Sequence, residues 1–305
     1  MIRTCIHRKL VRVATAVAAA LATTSVISGC LSAEEAAFKA QSRETLSIAA
    51  GAGSVTRISV VNEVGDVEVR SDPSTEEVRA ELVRTGRGPT PEEAESALKE
   101  LVVSLAPASN EPGTVLATMS RPPKPVKGRH YSVDWRIVAP AGVQLEVTTN
   151  VGDISAEGFT GGVVLKSDVG DISASGIAGG IEAQTQVGDM TLSGSGPVTA
   201  RSDVGDISIR AFVRADQGVT ATSNVGDIVL WLPNDWIGNL VAKCNVGDVR
   251  VSLPRASMSD VVSKNSFFAA VIGTGNGGIE LKSDVGDISV HTASGDSAAG
   301  SGAGE

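Results

Sequence analysis

Apolar and polar residues alternate in short runs along most of this chain, and the alternation breaks eight times at one triplet, Val-Gly-Asp, followed by an aliphatic residue or Met. A period of two belongs to β-strands and not to helices. Around Gly205, Val198, Ala200, Ser202 and Val204 share one parity while Ile207 and Ile209 share the other, so the inward face switches across Gly205-Asp206. Leu281, Ser283 and Val285 stand in the same relation to Ile288 and Val290. The chain must therefore turn a corner at each triplet. Glycine supplies the positive φ a corner needs, and the following Asp offers a carboxylate to nearby backbone N–H groups.

The corners are Gly65-Asp66, Gly152-Asp153, Gly170-Asp171, Gly188-Asp189, Gly205-Asp206, Gly226-Asp227, Gly247-Asp248 and Gly286-Asp287. From Gly152 to Gly247 the glycines follow at 18, 18, 17, 21 and 21 residues. Such a period identifies stacked coils, none of which can bury its apolar side alone. The expected fold is mainly β, a parallel β-solenoid (β-helix) of 17–21-residue coils with an N-terminal α+β cap. At about 4.8 Å per coil, the six closely spaced copies extend roughly 25–30 Å.

Two positions before each repeated Val stands a small residue, Thr149, Ser167, Thr185, Ser202, Ser223, Cys244 or Ser283, expected to form an inward ladder bonded within itself or to the corner backbone. One position before the Val, Asn150, Asp168, Gln186, Asp203, Asn224, Asn245 and Asp284 face outward. A second, glycine-rich corner closes each turn, as at Gly158, Gly161 and Gly162.

Between Gly65 and Gly152 the repeat disappears for 87 residues. Thr90-Pro91-Glu92-Glu93 reads as a capping box with Pro at the first helical position, and Ala94, Leu98, Leu101, Val102 and Leu105 mark one apolar helix face. Strands are expected at 114–120 and 131–138, with Tyr131, Val133, Trp135 and Ile137 on one face. The helix is expected to cover a sheet edge or the open end of the rod.

The first residues carry Arg3, Arg8, Lys9 and Arg12 with no acid, then an apolar run, then Ile27-Ser28-Gly29-Cys30. That order is an export signal, too short and wrongly flanked to be a stable membrane span. The last four residues resemble a bacterial lipobox, which implies that Cys30 becomes an acylated first residue; Leu31 after it favours the outer membrane in a Gram-negative cell. The organisation reads as signal peptide 1–29, lipid-anchored tether 30–43, cap with the first repeat copy 44–150, solenoid 151–291 and disordered tail 292–305. Cleavage removes four basic residues and leaves 276, moving the formal charge from −9 to −13. With an acidic chain of this kind no nucleic-acid partner is expected. Cys5 leaves with the signal, Cys30 is acylated and Cys244 lies on an inward column, so no disulfide is expected.

Across residues 55–291 the in-register Gly-Asp-Ile corners, following a strand, helix and strand region, resemble the bacterial adhesin-like β-strand-repeat domains of unknown function. The resemblance implies an envelope or surface location, in some members linked to envelope stress, and supplies no catalytic residues.

Three groups are candidate sites. The Asp column, with the paired acids Asp168/Asp171, Asp203/Asp206 and Asp284/Asp287, has the oxygen chemistry Ca²⁺ takes, although corner-forming carboxylates explain it without a metal. Repulsion between neighbouring carboxylates, about 1 kcal/mol per pair in water, is bearable. The basic loop 121–130, with Lys124, Lys127 and Arg129, is suited to an anionic glycan or lipid headgroup, or is a solvated hairpin loop. Trp231 and Trp236 suit sugar stacking, or plug an irregular coil. No nucleophile, phosphate-loop or metal motif occurs and no cofactor is expected. These features describe a non-enzymatic, lipid-anchored envelope protein whose solenoid serves adhesion, ligand contact or envelope stress sensing, touching the membrane through its lipid and a glycan or envelope protein elsewhere. The alternatives are a polysaccharide-active β-helix enzyme and a self-assembling envelope scaffold.

Overall fold

A computed structural model describes residues 23–27, 38–49, 55–122, 126–213, 217–254 and 256–293. Each coil contributes one strand to each of two sheets that face one another across a single continuous core. In the Gly170 coil, Val163–Val169 lies in one sheet and Ile172–Ile177 in the other. Successive coils pair in parallel and in register, Leu165 against Ala183 and Ile172 against Met190, which stacks like residues into columns.

Alternation explains which residues fill the core. Val163, Leu165 and Ser167 point in from one sheet and Ile172, Ala174 and Ile177 from the other, each nearly inaccessible to water. The expectation that the repeated Val continues the inward set is corrected: Val169, Val187, Val204, Val225 and Val285 are 47–48% exposed. The inward run ends at the Ser or Thr, because the backbone already swings into the corner at the next residue and turns Val out.

The coils do not stack in chain order. Gly277–Val285 pairs in parallel with Val219–Val225 on one side and Gly238–Val246 on the other, and Ile288–Thr292 likewise lies between Ile228–Leu232 and Val249–Ser252. The spatial order is therefore Gly65, Gly152, Gly170, Gly188, Gly205, Gly226, Gly286, Gly247, a stack of roughly 35 Å. The stretch between Gly247 and Gly286 leaves the rod as the antiparallel hairpin Met258–Lys264 and Phe267–Ile272, which pairs with Gly238–Val246, and then threads back inside the last coil. Thr292 ends a strand and Ala293 N–H donates to the Leu232 carbonyl at 2.7 Å, so the first two residues of the expected tail 292–305 belong to the last coil. Residues 294–305 lie outside the described residues.

At the other end the two sheets run on beyond the repeats. His130–Ala139 pairs in parallel with Val67–Ser71, and Thr114–Ser120 with Arg57–Val64. Glu77–Gly88, Phe38–Ala49 and Thr23–Ile27 then extend one sheet by antiparallel pairing, and Val102–Pro107 extends the other. The strand Phe38–Ala49 thus starts inside the interval 30–43 expected to be a tether, and Gln144–Val151 is half of the Gly152 coil, so a boundary at 150 cuts through a coil. A cut before Cys30 removes Thr23–Ile27 and leaves Phe38–Ala49 as the edge strand.

The helix spans Pro91–Glu100, capped by Thr90, whose hydroxyl accepts from Glu93 N–H at 3.2 Å; Glu93 Oε2 itself is buried without a partner, so only one arm of the capping box is formed. Leu101 turns extended, which moves Val102 and Leu105 from the expected helix face into the strand Val102–Pro107. Ala97 and Leu101 reach the central core, while Ala94 and Leu98 pack on Ala40 and Phe38. A Cβ on Gly86 would lie 2.4 Å from Leu98 N, so the helix closes on bare backbone.

The corner glycines are fixed twice over. Gly188 has φ +149°, and a Cβ there would lie 2.1 Å from the Gly170 carbonyl oxygen. Gly188→Val is expected to destabilise the fold by at least about 1–3 kcal/mol, read as the urea unfolding midpoint. Gly278→Ala, where nothing lies within 4 Å of the added methyl, should stay within about 0.5 kcal/mol of wild type. Equal midpoints for the two variants would refute this backbone account.

Candidate functional site

The eight corners form one edge of the rod, and the polar backbone groups of the inner corners are used between coils. Gly152 N–H donates to the Val169 carbonyl at 2.9 Å and Ile154 N–H to the Asp171 carbonyl at 2.9 Å, and the pattern repeats in each following coil. The Gly carbonyls accept from the inward hydroxyls of the next coil: Ser167 to Gly152 at 3.1 Å, Thr185 to Gly170 at 3.2 Å, Ser223 to Gly205 at 3.2 Å and Ser283 to Gly226 at 2.9 Å. Thr149 is the exception, its hydroxyl buried and unpartnered, because Asn62 Nδ2 already occupies the Gly65 carbonyl at 2.8 Å.

The remaining donor is the Asp N–H, and the Asp column serves it. Asp171 N–H donates to Asp153 Oδ1 at 2.9 Å, Asp189 to Asp171, Asp206 to Asp189 and Asp227 to Asp206 at 2.8 Å, Asp287 to Asp227 at 2.7 Å and Asp248 to Asp287 at 2.9 Å. The ladder starts one level earlier than the repeats, with Asp134 accepting from Asp66 N–H at 3.3 Å and Asp66 from Asp153 N–H at 3.1 Å. Asp134 escaped the sequence pattern because its triplet, Val133-Asp134-Trp135, lacks the glycine. At the far end Arg250 closes the column, holding Asp287 Oδ2 at 2.7 Å and Asp248 Oδ2 at 2.8 Å. The Asp248 N–H and then Arg250 hold the Asp287 carboxyl below its ordinary range.

The acids paired in sequence for calcium are used separately. Asp168 accepts from Gln186 Nε2 at 2.8 Å and Asp203 from Asn224 Nδ2 at 3.0 Å, whereas Asp171 and Asp206 cap backbone N–H groups of the next coil. Among the described residues no three His, Cys, Asp or Glu converge as a metal site.

Between the Asp column and the acid and amide column runs the column of exposed Val. In spatial order the residues beside it are Glu63, Asn150, Asp168, Gln186, Asp203, Asn224, Asp284 and Asn245, an unbroken alternation of acid and amide. Asn245 Nδ2 donates to Asp284 Oδ1 at 2.9 Å.

The other candidates separate. Trp231 stands on the outer face of its sheet between Arg210 and His291, the guanidinium 5.9 Å from its ring centre and the imidazole 6.3 Å away, so neighbouring coils occupy both of its faces. Trp236 follows the second of its two readings, a core residue that plugs its coil, 5% exposed with Nε1 unpartnered, and does not share that surface. In the basic loop, Arg121 pairs with Glu63, and Arg129 binds Glu100 Oε1 at 2.6 Å, while the Tyr131 hydroxyl donates to Glu100 Oε2 at 2.9 Å. Arg129 thus locks the helix end to the loop and is not a free cation. Lys127 is exposed; Lys124 and Cys30 lie outside the described residues. Cys244 is a buried free thiol, pushed up by burial and by the charges of Asp287 and Asp248.

Two outcomes are expected. Asp171→Asn keeps the acceptor for Asp189 N–H and relieves repulsion, so it is neutral or mildly stabilising, whereas Asp171→Ala costs about 0.5–1.5 kcal/mol. Millimolar Ca²⁺ raises the melting temperature of wild type no more than Mg²⁺ at equal ionic strength, and a large calcium-specific rise lost in the Asn variant would overturn the structural role. Separately, the Tyr131 hydroxyl and then Arg129 hold the Glu100 carboxyl below its ordinary range. A lowered acid contributes stability that is present above the unfolded value and lost as pH falls through the folded one. Melting temperature followed from pH 7 down through the carboxylate range should therefore fall less steeply in Glu100→Gln than in wild type; parallel curves would count against the pairing.

Residues 142–291 match the family model described as Toastrack DUF4097. The match covers the solenoid and leaves out the Gly65 coil, which the structure stacks directly on the Gly152 coil. No curated protein matches the chain. Among solved structures, the chain is similar to a provisionally named cell adhesion protein from Clostridium sporogenes ATCC 15579, with 13% identity over 82% of this chain and 99% of that one and a TM-score of 0.38. It is similar to a provisionally named adhesin from Bacteroides fragilis NCTC 9343, with 14% identity, coverage of 82% and 97% and a TM-score of 0.42. It is also similar to a provisionally named lipid binding protein from Parabacteroides distasonis ATCC 8503, with 13% identity, coverage of 82% and 96% and a TM-score of 0.35.

Proposed function

Through residues 142–291 this chain belongs to the Toastrack DUF4097 family, and from that footing we propose that it is a non-enzymatic, lipid-anchored envelope protein that holds out a rigid solenoid for adhesion or ligand contact. The observation that carries this reading is the repetition of the outward chemistry. Corner polar groups are consumed in stacking, and each coil turns out the same half-exposed Val flanked by an acid or amide. A catalytic centre needs one coil to differ from its neighbours, with an acid or base positioned against a reacting atom. A contact surface needs a repeated, stiff array, because preformed side chains lose little freedom on binding.

The anchor follows from Ile27-Ser28-Gly29-Cys30. Seven residues separate Cys30 from the strand that starts at Phe38, and seven residues span at most about 25 Å, so the N-terminal end of the rod stays close to the membrane that holds the lipid.

Cys30→Ser should abolish metabolic labelling with fatty acid, and undiminished labelling would remove the anchor from this account. Glycan arrays probed with the purified chain, and read for both retention and released product, should give retention without product. Turnover of any retained glycan would favour a polysaccharide-active enzyme instead.

A further inference from the structure

The outer face at the N-terminal end carries cations that neither the repeats nor the cap uses. Lys39 pairs across strands with Arg87, and Arg87 with His130, so the three side chains form one row on one face of the sheet. The next row on that face is Gln41, Thr85 and Ser132, and the one after it Arg43, Val83 and Asp134. Over these rows three permanent cations and His130 face a single acid, in a chain whose formal charge is −9 overall. Arg87 and His130 are exposed, as is Lys127 at the head of the same strand pair, and the side chain of none of the three makes a hydrogen bond or ion pair among the described residues. The Lys39 side chain lies within electrostatic reach of Asp134 but hydrogen-bonds to nothing described.

The row borders a surface hollow of about 430 Å³ lined by Val64, Thr85, Arg87, His130, Tyr131 and Ser132. Arginine, imidazole and hydroxyl donors around a space of this size suit a phosphate group. The location selects the source of that phosphate. Lys39 directly follows Phe38, where its strand starts, and Cys30 is eight residues upstream. Thr23–Ile27, the strand that cleavage removes, ends beside the row with Ile27 opposite Lys39. Cleavage before Cys30 therefore clears the sheet edge next to these cations.

We propose that Lys39, Arg87 and His130, with the hollow beside them, form a docking site for anionic phospholipid headgroups of the membrane in which Cys30 is anchored. This site rests on the anchored reading given above for its source of headgroups. It gives the tethered rod a second attachment and fixes which end of the sheet faces the bilayer, so that the coil edge with its Val and Asp columns is presented at a set orientation. A basic residue at an anionic surface contributes about a fivefold gain in partition, and one acyl chain or one basic patch alone holds weakly where the two together hold well.

The test is vesicle flotation of residues 30–305 carrying Cys30→Ser, read as the ratio of protein bound to vesicles containing phosphatidylglycerol over protein bound to pure phosphatidylcholine. Without residues 1–29 the basic start Arg3, Arg8, Lys9 and Arg12 adds nothing to the ratio, and the sheet edge beside Lys39 is clear. A ratio on the order of tenfold at low salt is expected, decreasing as salt rises. The Lys39→Gln/Arg87→Gln pair should bring it close to one, while Lys166→Gln/Arg201→Gln, the same charge change on a distant coil face, should leave it high. Melting temperatures establish that both pairs fold. A ratio near one for the parent chain, an unchanged ratio in the Lys39/Arg87 pair, or equal losses in both pairs would each overturn the site. Fatty-acid labelling of the wild-type chain reports on the anchor separately: no label with an intact phosphatidylglycerol ratio would remove the anchor and leave the headgroup site standing.

Discussion

The structure depends on one contact, the approach of each corner glycine to the glycine carbonyl of the coil beneath it. A Cβ at Gly170, Gly188, Gly205 or Gly226 would lie 2.0–2.1 Å from that oxygen. Coils can stack at the spacing of hydrogen-bonded strands only if the corner stacks at the same spacing as the sheets. Any side chain at this position wedges the corner apart while the sheets stay together. With glycine there, the corner leaves one Gly carbonyl and one Asp N–H per coil without a backbone partner. The inward hydroxyl answers the first and the preceding coil's carboxylate the second. The triplet and the Ser or Thr before it are therefore one device for closing a backbone account at a turn where neither strand ladder reaches.

A ladder of this kind has two ends, and each end needs residues that differ from the repeat. At the start, Asn62 replaces the hydroxyl residue, reaching both the Gly65 carbonyl and the Val133 carbonyl, while its own oxygen takes the Trp135 indole N–H at 3.3 Å. At the other end, Arg250 neutralises the last two carboxylates, whose outer oxygens have no further coil to face. The two long departures from the period fall at these ends: the N-terminal extension carries the sheets onto antiparallel strands and a helix, and the C-terminal hairpin covers one sheet edge. Open parallel edges recruit other chains, so the departures do the work that terminal repeats do in other solenoids.

The repeating coil was legible in the sequence because its requirements are local. Parity, the Gly-Asp corner, the Ser or Thr ladder and the Thr90 cap are each fixed by residues within a few positions of one another. Three things were not legible, and each depends on a distant partner. Val204 looks inward by parity and is turned out by the corner that follows it. Arg129 looks like one of several free loop cations until Glu100, on the helix, is brought to it. Trp231 looks like a sugar platform until Arg210 and His291 arrive from the coils on either side. Asp134 shows the opposite failure, since it performs the role of a corner Asp on a strand that needs no glycine.

The order of the last two coils shows how charge can specify what hydrophobic pattern leaves open. By apolar pattern the Gly286 coil fits equally well after the Gly247 coil or before it, since Leu240 and Ile279, or Val249 and Ile288, are interchangeable on the inward face. The outward column distinguishes the two. Stacked in chain order it would read Asn224, Asn245, Asp284, two amides together and an acid at the exposed end. Threaded as observed it reads Asn224, Asp284, Asn245, which sets Asp284 between two amides, with the Asn245 amide donating to it. The same threading places Asp287 between Asp227 and Asp248, where Arg250 reaches the outer oxygens of the last two carboxylates at once. Neighbouring acids in a ladder repel. An arrangement that alternates them with amides in one column, and closes the other with a guanidinium, lowers that repulsion without adding any apolar contact.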